Sequence, residues 1–106
     1  MPVTMDHMRF FILACTEAFS GKRGRSGVLG YLRGDTTPST VELGKQKGIA
    51  NLYGLLKGVD AAETHSVLAY LLQSSLLEIK KVETRGTDMP LLFITAEGRV
   101  ELQRLD

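Results

Sequence analysis

Apolar residues recur along this chain in two periods, and the switch between them sets the order of the elements. Met8, Phe11, Ile12, Cys15 and Phe19 fall at helical spacing within Met5–Phe19 and line one face. Thr4 can cap this helix, Asp6 suits its first turn, and Gly21 and Gly24 end it. A shorter helix is expected over Gly27–Arg33, with Ser26 as cap, Val28, Leu29 and Leu32 turned inward, and Gly34 as stop.

From Asp35 to Gly58 the pattern is punctuated by Pro38, Gly44, Gly48, Gly54 and Gly58 and reads as irregular, with one helical turn near Asn51–Leu56. So long a weakly structured stretch calls for a functional reason. Asp60 and Glu63 then form a D-x-x-E capping pattern for a third helix. Thr64, Val67, Leu68, Leu71 and Leu72 line one of its faces; His65, Ala69, Tyr70 and Gln73 lie towards the other. After Leu76 the period drops to two. Leu77–Val82 and Leu91–Ile94 read as paired strands, Glu83–Pro90 as their loop with Gly86 at the turn, and Thr95 as the cap of a last helix reaching Leu105. Three helices, a hairpin and a closing helix make an α+β chain with the plan of a winged helix-turn-helix.

The 106 residues suit a single domain, 1–106. A hydrophobic content of 43% with 24% charged residues fits a folded body rather than a disordered tail. Without a run of about 18 apolar residues or a signal-like start, the reading is a cytoplasmic protein, or a nuclear one in a eukaryote, with no membrane partner. The net charge of +1 says little; its distribution says more. Between Ser20 and Gly58 stand Lys22, Arg23, Arg25, Arg33, Lys45, Lys47 and Lys57 against only Asp35 and Glu42, while the flanks are mildly acidic. That balance fits a phosphate-facing surface as well as it fits an ordinary solvated one.

Catalytic chemistry finds little to build on. His7 and His65 are the only histidines, and neither is tied by a motif to a nucleophile. Cys15 sits on an apolar helix face, where it reads as a small buried hydrophobe, and the spacing of a zinc site is absent, so no cofactor is expected. Gly21-Lys22-Arg23-Gly24-Arg25-Ser26-Gly27 has the glycines of a phosphate cradle, but Arg23 stands where a P-loop needs Ser or Thr. Its G-K-R-G also matches the G-x-x-G clamp of KH domains, although only two strand segments are available where KH folds need three. Tyr31, Tyr53 and Tyr70 are not interleaved with the basic residues as a base-stacking platform requires; they read as core-edge residues with hydrogen-bonded hydroxyls.

Several segments, in order, carry a family likeness. They are Pro2-Val3-Thr4, Phe11-Ile12-Leu13, Gly27-Val28-Leu29-Gly30-Tyr31-Leu32-Arg33-Gly34, Leu52-Tyr53-Gly54-Leu55-Leu56-Lys57, Thr64–Ser75 and Leu92-Phe93-Ile94-Thr95-Ala96-Glu97-Gly98-Arg99. With its L-R-G, Y-G-x-x-K and I-T-x-E-G-R motifs the chain resembles the RQC domain of RecQ-type DNA helicases. The resemblance implies a winged-helix domain that binds duplex or forked DNA beside a helicase core in the same parent chain. That parent would be an ATP-dependent 3′–5′ DNA helicase of repair, recombination or replication, and no catalysis is expected of this chain alone. The resemblance puts phosphate contacts on Arg33 and Lys57. Lys45, Lys47, Arg23 and Arg25 join them as further basic candidates. At the wing tip stand Arg85, Thr87 and Met89, with Met89 the apolar candidate for a wedge; early in the third helix, Thr64 stands where the family has tryptophan. The competing class is a protein-interaction or dimerisation module using Ala61, Ala62, His65, Ala69 and Tyr70.

Overall fold

The structure, a computed structural model, describes residues 4–106; Pro2 and Val3 of the motif series lie outside the described residues. Helix α1 (Met5–Phe19) starts where expected, because the Thr4 hydroxyl accepts the His7 amide at 3.1 Å. Helix α2 (Arg25–Arg33) begins two residues earlier than the sequence suggested. Its N-cap is Gly24, without a side-chain bond, so Ser26 falls in the first turn and does not cap. The reason is contact. A Cβ at Gly24 would stand 2.7 Å from the Pro90 carbonyl oxygen, so only glycine lets the chain turn here against the hairpin.

The largest departure lies in the stretch read as irregular. Helix α3 (Pro38–Gln46) occupies its first half, followed by a 3-10 turn at Ala50–Leu52. Thr37 caps α3, accepting the Thr40 amide at 3.3 Å, and Pro38 fills the first helical position where no N–H is needed. What α3 buries is Thr40 and Gly44, not an apolar stripe. A Cβ at Gly44 would overlap the ring of Tyr31, so the helix rides directly on that aromatic, whose hydroxyl donates to the Ile49 carbonyl at 2.8 Å. Burial pushes the Tyr31 phenol above its ordinary pKa, with Cys15 and Tyr53 adding to the rise.

Helix α4 (Ala61–Gln73) buries Thr64, Val67, Leu68 and Leu71 as expected. Its capping differs in detail, because the Asp60 carboxylate accepts the Ala62 amide at 2.8 Å, while the Glu63 amide donates to the Asp60 backbone carbonyl at 3.1 Å. Strands β1 (Leu77–Thr84) and β2 (Thr87–Ile94) pair antiparallel through every residue from Leu77↔Ile94 to Thr84↔Thr87. The expected loop Glu83–Pro90 is therefore mostly strand. The turn is only Arg85 and Gly86, at φ +53° and +80°, the left-handed pair that matches hairpin twist. Pro90 fits within β2 because its nitrogen faces away from β1. The neighbouring Leu92 amide shows that direction, donating at 3.0 Å to the Arg23 carbonyl outside the sheet. Helix α5 (Ala96–Leu105) closes the chain. The described residues thus form a small α+β fold of five α-helices, one 3-10 turn and a two-stranded hairpin.

Helix α1 runs through the centre and touches α2, α4, α5 and β2. Its Met8, Ile12, Leu13, Cys15 and Phe19 meet Val28, Leu29 and Leu32 of α2, Leu68 and Leu71 of α4, and Leu77 and Leu92 of the hairpin in one buried cluster. Cys15 is 0% exposed, and burial pushes its thiol from an ordinary 9.0 up to about 12. At neutral pH the native thiol should therefore resist a thiolate-selective disulfide reagent, reacting only as fast as the protein opens. Because the folded pKa lies above the unfolded one, the stability linked to this group is complete below pH 9.0 and is lost as pH rises towards 12. Denaturant titrations at pH 8 and pH 11 check the sign, and Cys15→Ser should remove this part of the alkaline loss.

Candidate nucleic-acid interface

Two grooves run along the two faces of the hairpin. Side chains alternate across a strand, so Met89 and Leu91 stand on one face and Pro90, with Ile79 of β1, on the other. The first groove, about 820 Å³, has Met89 and Leu91 as one wall; Lys22, Arg23 and Ser26 with Thr37, Ser39 and Thr40 form the other. The second, about 440 Å³, lies between Ile79 and Pro90 on one side and Arg25, Ser26 and His65 on the other. The start of α2 borders both.

The chemistry of the larger groove follows from how its backbone is laid. Helices α2 and α3 both open onto it, and neither has an acidic residue in its first turn. The partial positive charge of a helix start is thus left without a carboxylate to neutralise it, apart from Asp35 on the groove wall. Arg23 is held in place, donating from Nε to the Thr40 hydroxyl at 2.8 Å and from Nη1 to the Lys22 carbonyl at 2.8 Å. A guanidinium has five N–H groups, so donors remain for an anion. Lys22 and Arg25 are exposed beside it.

The residues singled out from sequence do not all meet. Arg23 comes together with Met89 and with Lys22, a member of the basic stretch that is not among the residues singled out for the site, whereas Arg25 lines the second groove with Ile79 and Pro90. Arg33 and Lys57 gather at the opposite end of α2, roughly 13 Å away at 1.5 Å per residue over its nine residues. There Arg33 donates from Nη1 to the Val59 carbonyl at 2.6 Å, stapling the segment before α4 onto α2. Lys57 is exposed beside Gly34. The start of α4, close to Lys57 in sequence, is already served by the Asp60 carboxylate, which accepts the Ala62 amide at 2.8 Å. Lys45 and Lys47 are exposed at the far end of α3. Arg85, Thr87 and Met89 are exposed at and near the hairpin tip. The hydroxyl-bearing wall, Ser39 and Thr40 above all, was missed with α3; Thr37-Pro38 was the signal that could have found it.

His7 and His65 are both exposed, as expected of surface histidines. Tyr53 donates to the Gly34 carbonyl at 3.1 Å, and Tyr70, 47% exposed, carries the Arg9 guanidinium 4.8 Å above its ring. Among the described residues no cluster of three or more His, Cys, Asp or Glu could hold a metal ion, and no helix is long and apolar enough to cross a membrane. No family model matches the chain, and no curated protein matches it.

Proposed function

We propose that this chain is a winged-helix domain that binds DNA through its phosphates, in the manner expected of an RQC domain beside a RecQ-type helicase core. Helices α1, α2 and α4 would be the three-helix body, β1–β2 the wing and α5 the closing helix; α3 is then an addition that widens the phosphate-facing side. The observation that carries the reading is the larger groove. There Lys22, Arg23 and two helix starts free of first-turn carboxylates face a wall containing Met89. Such a surface attracts backbone and carries no means of reading a base sequence. The exposed side of α4 holds Ala61, Ala62, His65, Ala69 and Tyr70 and no lysine or arginine. It therefore suits protein contact better than a major groove, and a partner-docking role for α4 is the second reading.

Titration of a labelled fork and a labelled single strand with the wild type, Lys57→Ala and Arg33→Ala tests the proposal. Lys57→Ala should weaken fork binding by a similar factor for every duplex sequence, roughly 2- to 5-fold for one exposed phosphate contact. Arg33→Ala should do the same and in addition lower stability by about 1.5–3 kcal/mol, because a charged hydrogen bond to the Val59 carbonyl is lost. If the wild type binds neither probe at low salt, the reading fails and the protein-docking alternative takes its place.

A further inference from the structure

The outer edge of β1 is patterned to pair with itself in one register. Because the Leu92 amide points away from β1 to the Arg23 carbonyl, the Ile79–Leu92 pair is of the non-hydrogen-bonded kind. By alternation so are Lys81–Pro90 and Glu83–Asp88, and the backbone amides and carbonyls of Ile79, Lys81 and Glu83 face outward. Among the described residues no other backbone group bonds to that edge.

Lysines commonly protect such an edge, and Lys80 and Lys81 stand in this one. They do not oppose every register equally. Two antiparallel copies related by a two-fold axis must pair outward residues with outward residues, so the axis passes through a residue. Centred on Lys80 or Lys81, lysine meets lysine. Centred on Glu83, glutamate meets glutamate and Lys81 meets Arg85. Centred on Ile79, the second strand would have to reach Leu77, which is 1% exposed beneath the helices. Centred on Val82, Lys81 of each copy faces Glu83 of the other, twice, and valine meets valine.

Two features of the single chain favour that last register. Glu83 lies directly opposite Asp88 in its own hairpin, a like-charge pair that costs stability and that a lysine on the other side of Glu83 would offset. Lys80 already pairs with Glu78 at 3.0 Å, whereas among the described residues no carboxylate pairs with Lys81. Val82 and Met89 are cross-strand partners left 36% and 47% exposed. Across the seam they would continue as a four-residue apolar row, Met89 and Val82 from each copy, on one face of the sheet.

We propose that two copies of this chain pair through the outer edges of β1 in the register centred on Val82, giving a four-stranded antiparallel sheet. The proposal does not depend on nucleic-acid binding. So short a seam belongs to the weak, transient class of interfaces, to be read at about 0.1–1 mM protein. Sedimentation velocity over that range should show concentration-dependent dimerisation. Lys81→Glu or Glu83→Lys alone should weaken it about tenfold by placing like charges across the seam, and the double swap K81E/E83K should restore it. Both positions are exposed, and far-UV circular dichroism confirms that each variant keeps its fold. Val82→Cys gives a positional check. Non-bonded antiparallel partners have Cα atoms about 4.5 Å apart, within disulfide reach, so mild oxidation should yield a covalent dimer. Asp88→Cys on β2 should stay monomeric, and the native Cys15 is buried and does not compete. A wild type monomeric up to about 1 mM, a dimer indifferent to the single reversals, or a double swap that fails to restore pairing would overturn the proposal.

Discussion

Gly98→Ala should destabilise the protein, although the same change inside most helices does the opposite. Relieving a helical glycine of its backbone freedom ordinarily gains about 0.5–1 kcal/mol. Gly98 lies in the first turn of α5, buried, and a Cβ there would press into the Leu76 carbonyl oxygen and the Ile94 side chain. A backbone carbonyl cannot swing aside as a lysine tip can. This carbonyl is also held in place, since the Thr95 amide and the Thr95 hydroxyl bond to it at 3.1 and 3.0 Å. Relieving the overlap means moving α5 away from the turn between α4 and β1, and overpacking of that kind costs about 1–3 kcal/mol or more. For a domain of this size the melting temperature should fall by roughly 4–8 °C per kcal/mol. Thermal unfolding of Gly98→Ala beside Gly48→Ala decides the matter, because a Cβ at Gly48 meets nothing within 4 Å. Gly48 has its own left-handed strain, at φ +77°, so its loss should be about 1 kcal/mol and that of Gly98 clearly larger.

The second large effect concerns the groove. Reversing Lys22 and Arg25 together, K22E/R25E, changes the charge around the start of α2 by four units, Lys22 on the larger groove and Arg25 on the smaller one. Both side chains are exposed, so the fold should stand. Binding to forked duplex at low salt should drop about 100-fold or more, since two phosphate attractions become two repulsions. Lys45→Glu, at the far end of α3, should cost far less. Equal losses from the two variants would mean that general charge, and not the groove, governs binding.

Parts of this arrangement were legible in the chain and parts were not, for identifiable reasons. Helices α1 and α4 and the hairpin pairing follow from apolar spacing, because each buries a row of leucine, isoleucine, valine, methionine or phenylalanine, whereas α5 is announced by its Thr95 cap and buries only Gly98, with Leu102 and Leu105 half-buried. Helix α3 has no such row, because what it buries is Thr40 and Gly44, the latter against Tyr31, and periodicity of large apolar residues is blind to such a contact. Thr37 and Pro38 stand in plain view as a helix start, but among Gly44, Gly48, Gly54 and Gly58 the proline reads as loop punctuation. Pro90 misled in the same way, since a proline ends most strands but is harmless where its nitrogen faces away from the partner.

The candidate site was legible only as charge. Sequence put Arg23, Arg25, Arg33, Lys45, Lys47 and Lys57 in one basic stretch, but α2 separates them to its two ends and α3 carries two of them further off. What joins Lys22 and Arg23 to Met89 is the reach of β2 back to the Arg23 carbonyl, a contact between residues nearly 70 positions apart. No local pattern announces a contact of that range.

Salt dependence of fork binding is the most direct measure of whether phosphates are what this surface holds. Each phosphate neutralised by a lysine or arginine contributes about −0.9 to the slope of log K against log salt. With Lys22, Arg23 and Arg25 at one end of α2 and Arg33 and Lys57 at the other, a slope of about −3 to −5 is expected. It should flatten by about two in K22E/R25E and stay the same for unrelated duplex sequences. A slope near zero, or affinity that follows base sequence and ignores salt, would contradict backbone binding.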